Sequence, residues 1–310
     1  MPASLLDRPF GIYEKALPDG PWPRMLADAR QAGFDYLEMS IDESDQRLAR
    51  LDWSRQPRRD LVRACEEQDI SIFSICLSAH RRFGLGSAHA EVRNRAAEIL
   101  DATVGLASDL GIRVVQIAGY YAYYEDRDRA ARSRYVEGLR RGLALAERRG
   151  VMLAIENIDT ADMASVTDCI ALRDEIASPW LQIYPDVGNL AVHKLDVAAE
   201  LTLLRGAAVG LHLKDARPGQ PRRVQFGDGD VPFDLVFASL AEECYDGPLT
   251  LEMWNDESPT AVRAAADALT WIKERMREAA AAGGAAGPPR FAPSVGTCTL
   301  STPLEAPSTR

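Results

Sequence analysis

The chain has 310 residues, 46% hydrophobic and 26% charged, the proportions of an ordinary globular protein with length enough for a large core. Its formal net charge of -10 excludes broad electrostatic binding to nucleic acid or to an anionic membrane surface, because both need a cationic field. The absence of long apolar runs, of a basic-then-apolar start and of any CxxC pair among five scattered cysteines predicts a cytoplasmic protein with reduced thiols, no membrane span and no signal peptide.

Short apolar, β-branched runs alternate with longer amphipathic ones. In chain order the predicted strands are 10–16 (FGIYEKA), 36–41 (YLEMSI), 70–77 (ISIFSICL), 113–118 (RVVQIA), 151–157 (VMLAIEN), 181–187 (LQIYPDV), 209–214 (VGLHLK) and 248–254 (PLTLEMW). Clear helical patterns fall at 91–110, 130–149 and 260–279, and Gly33, Gly111 and Gly150 stand where helix stops are expected. Eight strand–helix units predict an α/β fold, a single (β/α)8 TIM barrel. The runner-up, an open doubly wound sheet, lacks its Gly-rich phosphate fingerprint after the first strand. The last helix is expected to end near Met276 to Ala280. The stretch 281–310 is rich in Ala, Gly, Pro, Ser and Thr without a period, which predicts a disordered tail behind a catalytic domain over 1–280.

In such a barrel the C-terminal ends of the strands face the active site. Four late strands end in a potential metal ligand: Glu156 in LAIENIDT, Asp186 in IYPDVGN, His212 in LHLKD and Glu252 in LTLEMW. Their spacings of 30, 26 and 40 residues are each near one βα unit, so the four can converge at one mouth. Three carboxylates and an imidazole do not pack together without a cation, because like charges repel and burial is costly. One divalent ion is therefore expected, and Mn, Mg, Co and Zn all suit three oxygens and one nitrogen.

The segments GIYEKALP, EMSIDESDQRLARLDWS, CLSAHRRFGLGS, QIAGYYAYYE, SPWLQIYPDVGN, HLKD and LEMW are long and unusual, and they span roughly residues 10 to 255. Through them the chain resembles the bacterial L-ribulose-5-phosphate 3-epimerases, also called L-xylulose-5-phosphate 3-epimerases, of the xylose-isomerase-like barrel superfamily. The resemblance implies 3-epimerisation of a ketopentose 5-phosphate through a metal-stabilised ene-diolate, and a homodimer. Carried over by position, its metal ligands fall on Glu156, Asp186, His212 and Glu252, with Glu156 and Glu252 as the acid/base pair. The chain departs from the family pattern at Asp162 and Ala164, at Gln225 and Asp228 of QFGDG, and at His193.

A phosphate needs cations or backbone N–H groups. Lys214, Arg222, Arg81 and Arg82 are the candidates, and Lys214 could instead polarise a substrate oxygen. Lys15 and Glu38 are candidates for binding sugar hydroxyls, with a barrel-lining ion pair as the alternative; His80 is a candidate for substrate contact, with a structural hydrogen bond as the alternative; Asn189 is a further candidate for substrate contact. Tyr120, Tyr121, Tyr123 and Tyr124 follow the fourth strand and could wall the pocket against water. Two other functions fit the same scaffold: an epimerase or isomerase of an unphosphorylated ketose, and a non-catalytic sugar-phosphate-binding barrel. A metal-dependent AP endonuclease is disfavoured, because it needs many histidines and only four exist.

Overall fold

The structure, a computed structural model, describes residues 4–285 apart from 127, 256 and 257. Among the described residues, eight parallel strands form one curled sheet in the order β6-β5-β4-β3-β2-β1-β8-β7. They are β1 (Phe10–Tyr13), β2 (Tyr36–Ile41), β3 (Ser71–Leu77), β4 (Val114–Ala118), β5 (Met152–Glu156), β6 (Leu181–Ile183), β7 (Leu211–Leu213) and β8 (Leu249–Leu251). Parallel bridges Ile183↔Ala208 and Asp186↔His212 join the two ends and close the barrel. The helices are α1 (Trp22–Gln31), α2 (Asp45–Leu48), α3 (Arg55–Gln68), α4 (Ala90–Leu110), α5 (Ala131–Arg149), α6 (Val166–Ile176), α7 (Val187–Val192), α8 (Val197–Leu201), α9 (Phe233–Glu242) and α10 (Ala261–Ala285). None of the described helices is long and apolar enough to cross a membrane.

Strand parity divides the side chains between two environments. In β2 the odd positions Leu37, Met39 and Ile41 join the apolar layer packed under the helices. The even positions turn into the barrel, where Tyr36 reaches Thr250, Glu38 reaches His212, and Ser40 reaches Tyr13. A register shift after Leu37 sets Glu38 opposite Ser74 of β3. The deep interior is filled by Tyr36, Phe73, Val114, Ala154 and Tyr184. Tyr184 lies over the backbone of Gly210, where an added Cβ would come within 2.5 Å of its ring.

Several expected strands stop early for identifiable reasons. β1 ends at Tyr13 because Glu14–Ala16 winds into a 3-10 turn. β6 ends at Ile183, two residues before Pro185, which has no N–H for a ladder. Asp186 therefore stands outside the strand as the N-cap of α7. Gly111 and Gly150 end α4 and α5 with φ of 76° and 64°, the left-handed cap expected of glycine. The last helix continues to Ala285, past its expected end near Met276 to Ala280. It holds helix-forming alanines through that stretch, and the glycines at 283 and 284 do not stop it. The expected tail from residue 286 onward, with Cys298, lies outside the described residues.

Candidate functional site

Glu156, Asp186, His212 and Glu252 come together at the C-terminal end of the late strands, each offering a ligand atom within 4.8 Å of the others. Glu156 is the last residue of β5 and His212 the middle one of β7. Glu252 follows β8 and still donates its N–H to Leu213 O at 2.9 Å. Asp186 Oδ1 accepts from the amides of Gly188 (2.7 Å) and Asn189 (3.1 Å), which leaves Oδ2 turned into the cluster. Asn157 locks this corner, donating to Asp186 O and accepting from Asp186 N.

Lys214, two residues beyond His212 on the same side, reaches Asp186 Oδ2 at 2.6 Å and Glu252 Oε2 at 3.3 Å, and donates to Asn189 Oδ1 at 2.9 Å. Gly188 makes this possible: a Cβ there would sit 2.9 Å from the Lys214 side chain. Glu156 Oε1 lies 2.8 Å from His212 Nδ1, and Gln116 donates to its Oε2. The other imidazole nitrogen, Nε2, is 2.7 Å from Glu38 Oε1.

The charges of this cluster do not cancel. Glu38, Glu156, Asp186 and Glu252 are four acids set against two bases, Lys214 and His212, in a site where no member is more than 9% exposed. Burial raises the Glu156 carboxyl above its ordinary range and pushes Asp186 up to about 7 against the pull of Lys214. Glu252 is also pushed up by burial, but Lys214 and His212 outweigh that and hold it at about 2. Burial opposes a charge on His212, yet Glu38 and Glu156 raise its pKa well above the usual value. Glu252 Oε2 is buried without a hydrogen bond of good geometry, although the Lys214 ammonium is near. Two more acids than bases, an unsatisfied carboxylate oxygen and an O3N donor set fit a divalent cation, whose charge would let the raised carboxyls ionise.

A cavity opens beside the cluster. Of the four clustered residues, Glu156 and Glu252 line it, while Asp186 and His212 do not. Tyr13 and Trp254, in edge contact, form an aromatic wall. Lys15, Arg81, Lys214 and Arg222 bring positive charge to it, and Asn189 and Tyr120 also line it. Lys15 pairs with Asp42, and Arg222 with Asp159 at 2.9 Å. Arg81 stacks on Tyr120 and Tyr123 and donates to the Tyr120 hydroxyl, while its buried Nε has no partner.

Three candidates for substrate contact stand elsewhere. Glu38 is fully buried inside the barrel beneath His212, because a mid-strand residue of inward parity lies below the mouth. His80 is also fully buried; the 3-10 turn after β3 swings its ring toward α4, where Nε2 meets Ala96 O at 3.2 Å. Arg82, one residue past Arg81, points outward and bonds Glu43 O and Asp45. Of the four tyrosines, Tyr120 faces the cavity, Tyr121 packs on Tyr135, Tyr123 packs edge-on against Tyr120, and Tyr124 is 66% exposed. Sequence reasoning did not single out Asp159 or Gln116. Gln116 stands at an inward position of β4, where strand parity could have found it, and Asp159 stands three residues past the end of β5, where its place at the mouth is the signal.

Residues 26–275 match the model of the xylose isomerase-like TIM barrel family. The chain is 44% identical over 272 residues to the L-ribulose-5-phosphate 3-epimerase UlaE of Salmonella paratyphi C, covering 87% of this chain and 96% of that one. It is 43% identical over the same length and coverage to UlaE of Escherichia coli O157:H7. Among solved structures, one of an L-ribulose 3-epimerase superposes with a TM-score of 0.74 at 20% identity, over 92% of this chain and all of the other.

Proposed function

Because the chain belongs to the xylose isomerase-like TIM barrel family and shares more than two-fifths of its residues with L-ribulose-5-phosphate 3-epimerases, we propose that it is a metal-dependent 3-epimerase interconverting L-ribulose 5-phosphate and L-xylulose 5-phosphate. The observation that carries this reading is the division within the cluster. Four residues could hold a metal, but only Glu156 and Glu252 also face the cavity.

The proton at C3 of a ketose is acidic because C2 is a carbonyl. A divalent ion held by Glu156, Asp186, His212 and Glu252 would supply Lewis-acid stabilisation of the charge that develops on the substrate oxygens. Glu156 and Glu252 arise from β5 and β8, on different sides of the mouth. One takes the C3 proton and the other returns one to the opposite face. Lys214 holds Asp186 and Glu252 in place and keeps Glu252 ionised. Tyr13, Tyr120 and Trp254 limit water at the reacting carbon. Arg81, Arg222 and Lys15 give the phosphate its cationic surroundings. We further propose that residues 1–280 hold the whole catalytic apparatus.

The test is incubation of L-xylulose 5-phosphate with enzyme and Mg2+ in heavy water, followed by NMR. The expected product is L-ribulose 5-phosphate deuterated at C3, with activity lost on chelation and regained with a divalent ion. Full activity in verified metal-free protein would sink the metal. Faster turnover of free L-xylulose than of its phosphate would move the assignment to unphosphorylated ketoses.

A further inference from the structure

We propose that Glu38 is a positioning residue for the metal centre: it holds the proton of His212 on Nε2, so that Nδ1 presents its lone pair to the ligand cluster. The inference rests on the metal reading above, but concerns a residue outside the ligand set and outside the cavity.

The geometry fixes which nitrogen does what. Nδ1 lies 2.8 Å from Glu156 Oε1 and 3.9 Å from Glu252 Oε2, so it faces the other ligands. Nε2 points the opposite way, into the barrel, where Glu38 Oε1 stands at 2.7 Å. A neutral imidazole carries one proton, and a carboxylate can only accept. Without a cation both nitrogens face a carboxylate, as suits an imidazolium. When a cation takes the place of the Nδ1 proton, the Nε2 proton stays with Glu38 and Nδ1 is free to ligate, whereas a neutral ring protonated on Nδ1 would set the Nε2 lone pair against Glu38 and block the site.

Glu38 cannot easily turn away. Its second oxygen accepts the Ser74 hydroxyl at 2.5 Å, an arrangement made by the register shift between β2 and β3. Both Glu38 and His212 are fully buried, so water does not offer a substitute acceptor. Tyr184 packs on the imidazole with ring centroids 4.8 Å apart, and its hydroxyl bonds Thr250 at 2.7 Å, so the ring is held from its side as well as its end. A carboxylate at Nε2 also raises the basicity of Nδ1, which strengthens it as a donor.

Glutamine at 38 keeps the shape but not the charge, and its amide must compete with Ser74 for orientation. Outer partners of ligating histidines are commonly worth about 10–100-fold in metal affinity. The experiment measures Zn2+ affinity by competition with a chromophoric chelator for wild type, Glu38→Gln, Ser74→Ala and His212→Ala. It is paired with 15N NMR of the histidine rings in the Zn2+-loaded proteins. The expected results are an Nε2-protonated His212 in wild type, a loss of about 10–100-fold for Glu38→Gln and a smaller loss for Ser74→Ala. Circular dichroism and thermal melting check that each variant is folded. If Glu38→Gln does not fold, Ser74→Ala carries the comparison. Wild-type affinity in both folded variants, or an Nδ1-protonated ring in wild type, overturns the role of Glu38. Should wild type take up no Zn2+, or His212→Ala bind it unchanged, the metal reading itself falls and Glu38 with it.

Discussion

Two groups of charge stand at the same end of the barrel, and they follow opposite plans. After β1 and β2, buried Glu14 and Asp42 and exposed Asp19 meet Lys15, Arg47 and Arg50, three acids against three bases. Glu14 is saturated: Arg47 Nε reaches Oε1 at 3.0 Å, while Arg50 and the Ser40 amide both reach Oε2 at 2.7 Å. In the second group, Glu156, Asp186 and Glu252 from the late strands and Glu38 of β2 face one lysine and one histidine, and a buried carboxylate oxygen goes without a hydrogen bond. Charges that cancel among themselves make a frame for the β1 and β2 loops. Charges that do not cancel need a partner from outside the chain, since an uncompensated buried ion is costly. Burial alone does not distinguish frame from site; the balance does.

Removing one acid from each group breaks or sharpens this contrast. Glu14→Gln leaves two buried guanidiniums short of a carboxylate and should cost about 3–5 kcal/mol of folding stability. Asp186→Asn keeps an oxygen to cap α7 and lowers the negative excess, so the metal-free protein should lose no more than about 1 kcal/mol. The metal affinities should show the reverse order, with Asp186→Asn crippled and Glu14→Gln near wild type. Urea unfolding in chelator, beside metal titrations, measures both. Equal stability losses would mean that the late group is also frame.

On the proposed function, Glu156 and Glu252 should separate from Asp186 and His212 by what they do once a metal is supplied. Glu156→Gln and Glu252→Gln each keep an oxygen ligand but lose the base, and turnover should fall by at least about 100-fold at saturating metal. In heavy water each variant should still exchange the C3 proton of one epimer without net inversion, and the two variants should choose opposite epimers. A variant with wild-type turnover in both directions would transfer its role to Lys214 or a bound water.

The barrel was legible because strand and helix periods alternate cleanly along the chain, and the four clustered residues because each sits at or near the end of a late strand. What was not legible depended on direction. Glu38 and Arg82 are near plausible site positions in sequence, but strand parity sends one beneath the mouth and a turn sends the other outside. The balanced group was hidden for another reason. Its pairs join Glu14 to Arg47 and Arg50 across 33 and 36 residues, and no local pattern announces which acid will meet which base. The end of α10 was misplaced because alanine-rich sequence carries helix propensity with no apolar stripe to mark where packing stops.

His80 supplies the smallest and most direct check, because the early half handles this buried group by neutrality instead of pairing. The ring is fully buried; Nε2–H donates to Ala96 O, and Nδ1 has no partner. A second proton would create a buried cation with an unsatisfied N–H, and burial accordingly lowers its pKa from 6.5 to about 4, opposed only in part by the Ala96 bond. The folded pKa lies below the unfolded one, so between pH 6.5 and 4 the unfolded chain binds more protons here and stability rises with pH. The contribution is intact above the unfolded pKa and drains as the solution is acidified toward the folded one. At pH 5 the loss from this residue should be about 2 kcal/mol relative to pH 8. His80→Gln can still donate to Ala96 O and does not titrate. Urea unfolding of both proteins in chelator at pH 8 and pH 5 isolates the effect, since the other titrating groups are common to both. Wild type should lose about 2 kcal/mol more than the variant over that interval. Parallel losses would mean that the His80 ring finds a way to carry its charge in the folded state, and that the early half tolerates an unpaired cation after all.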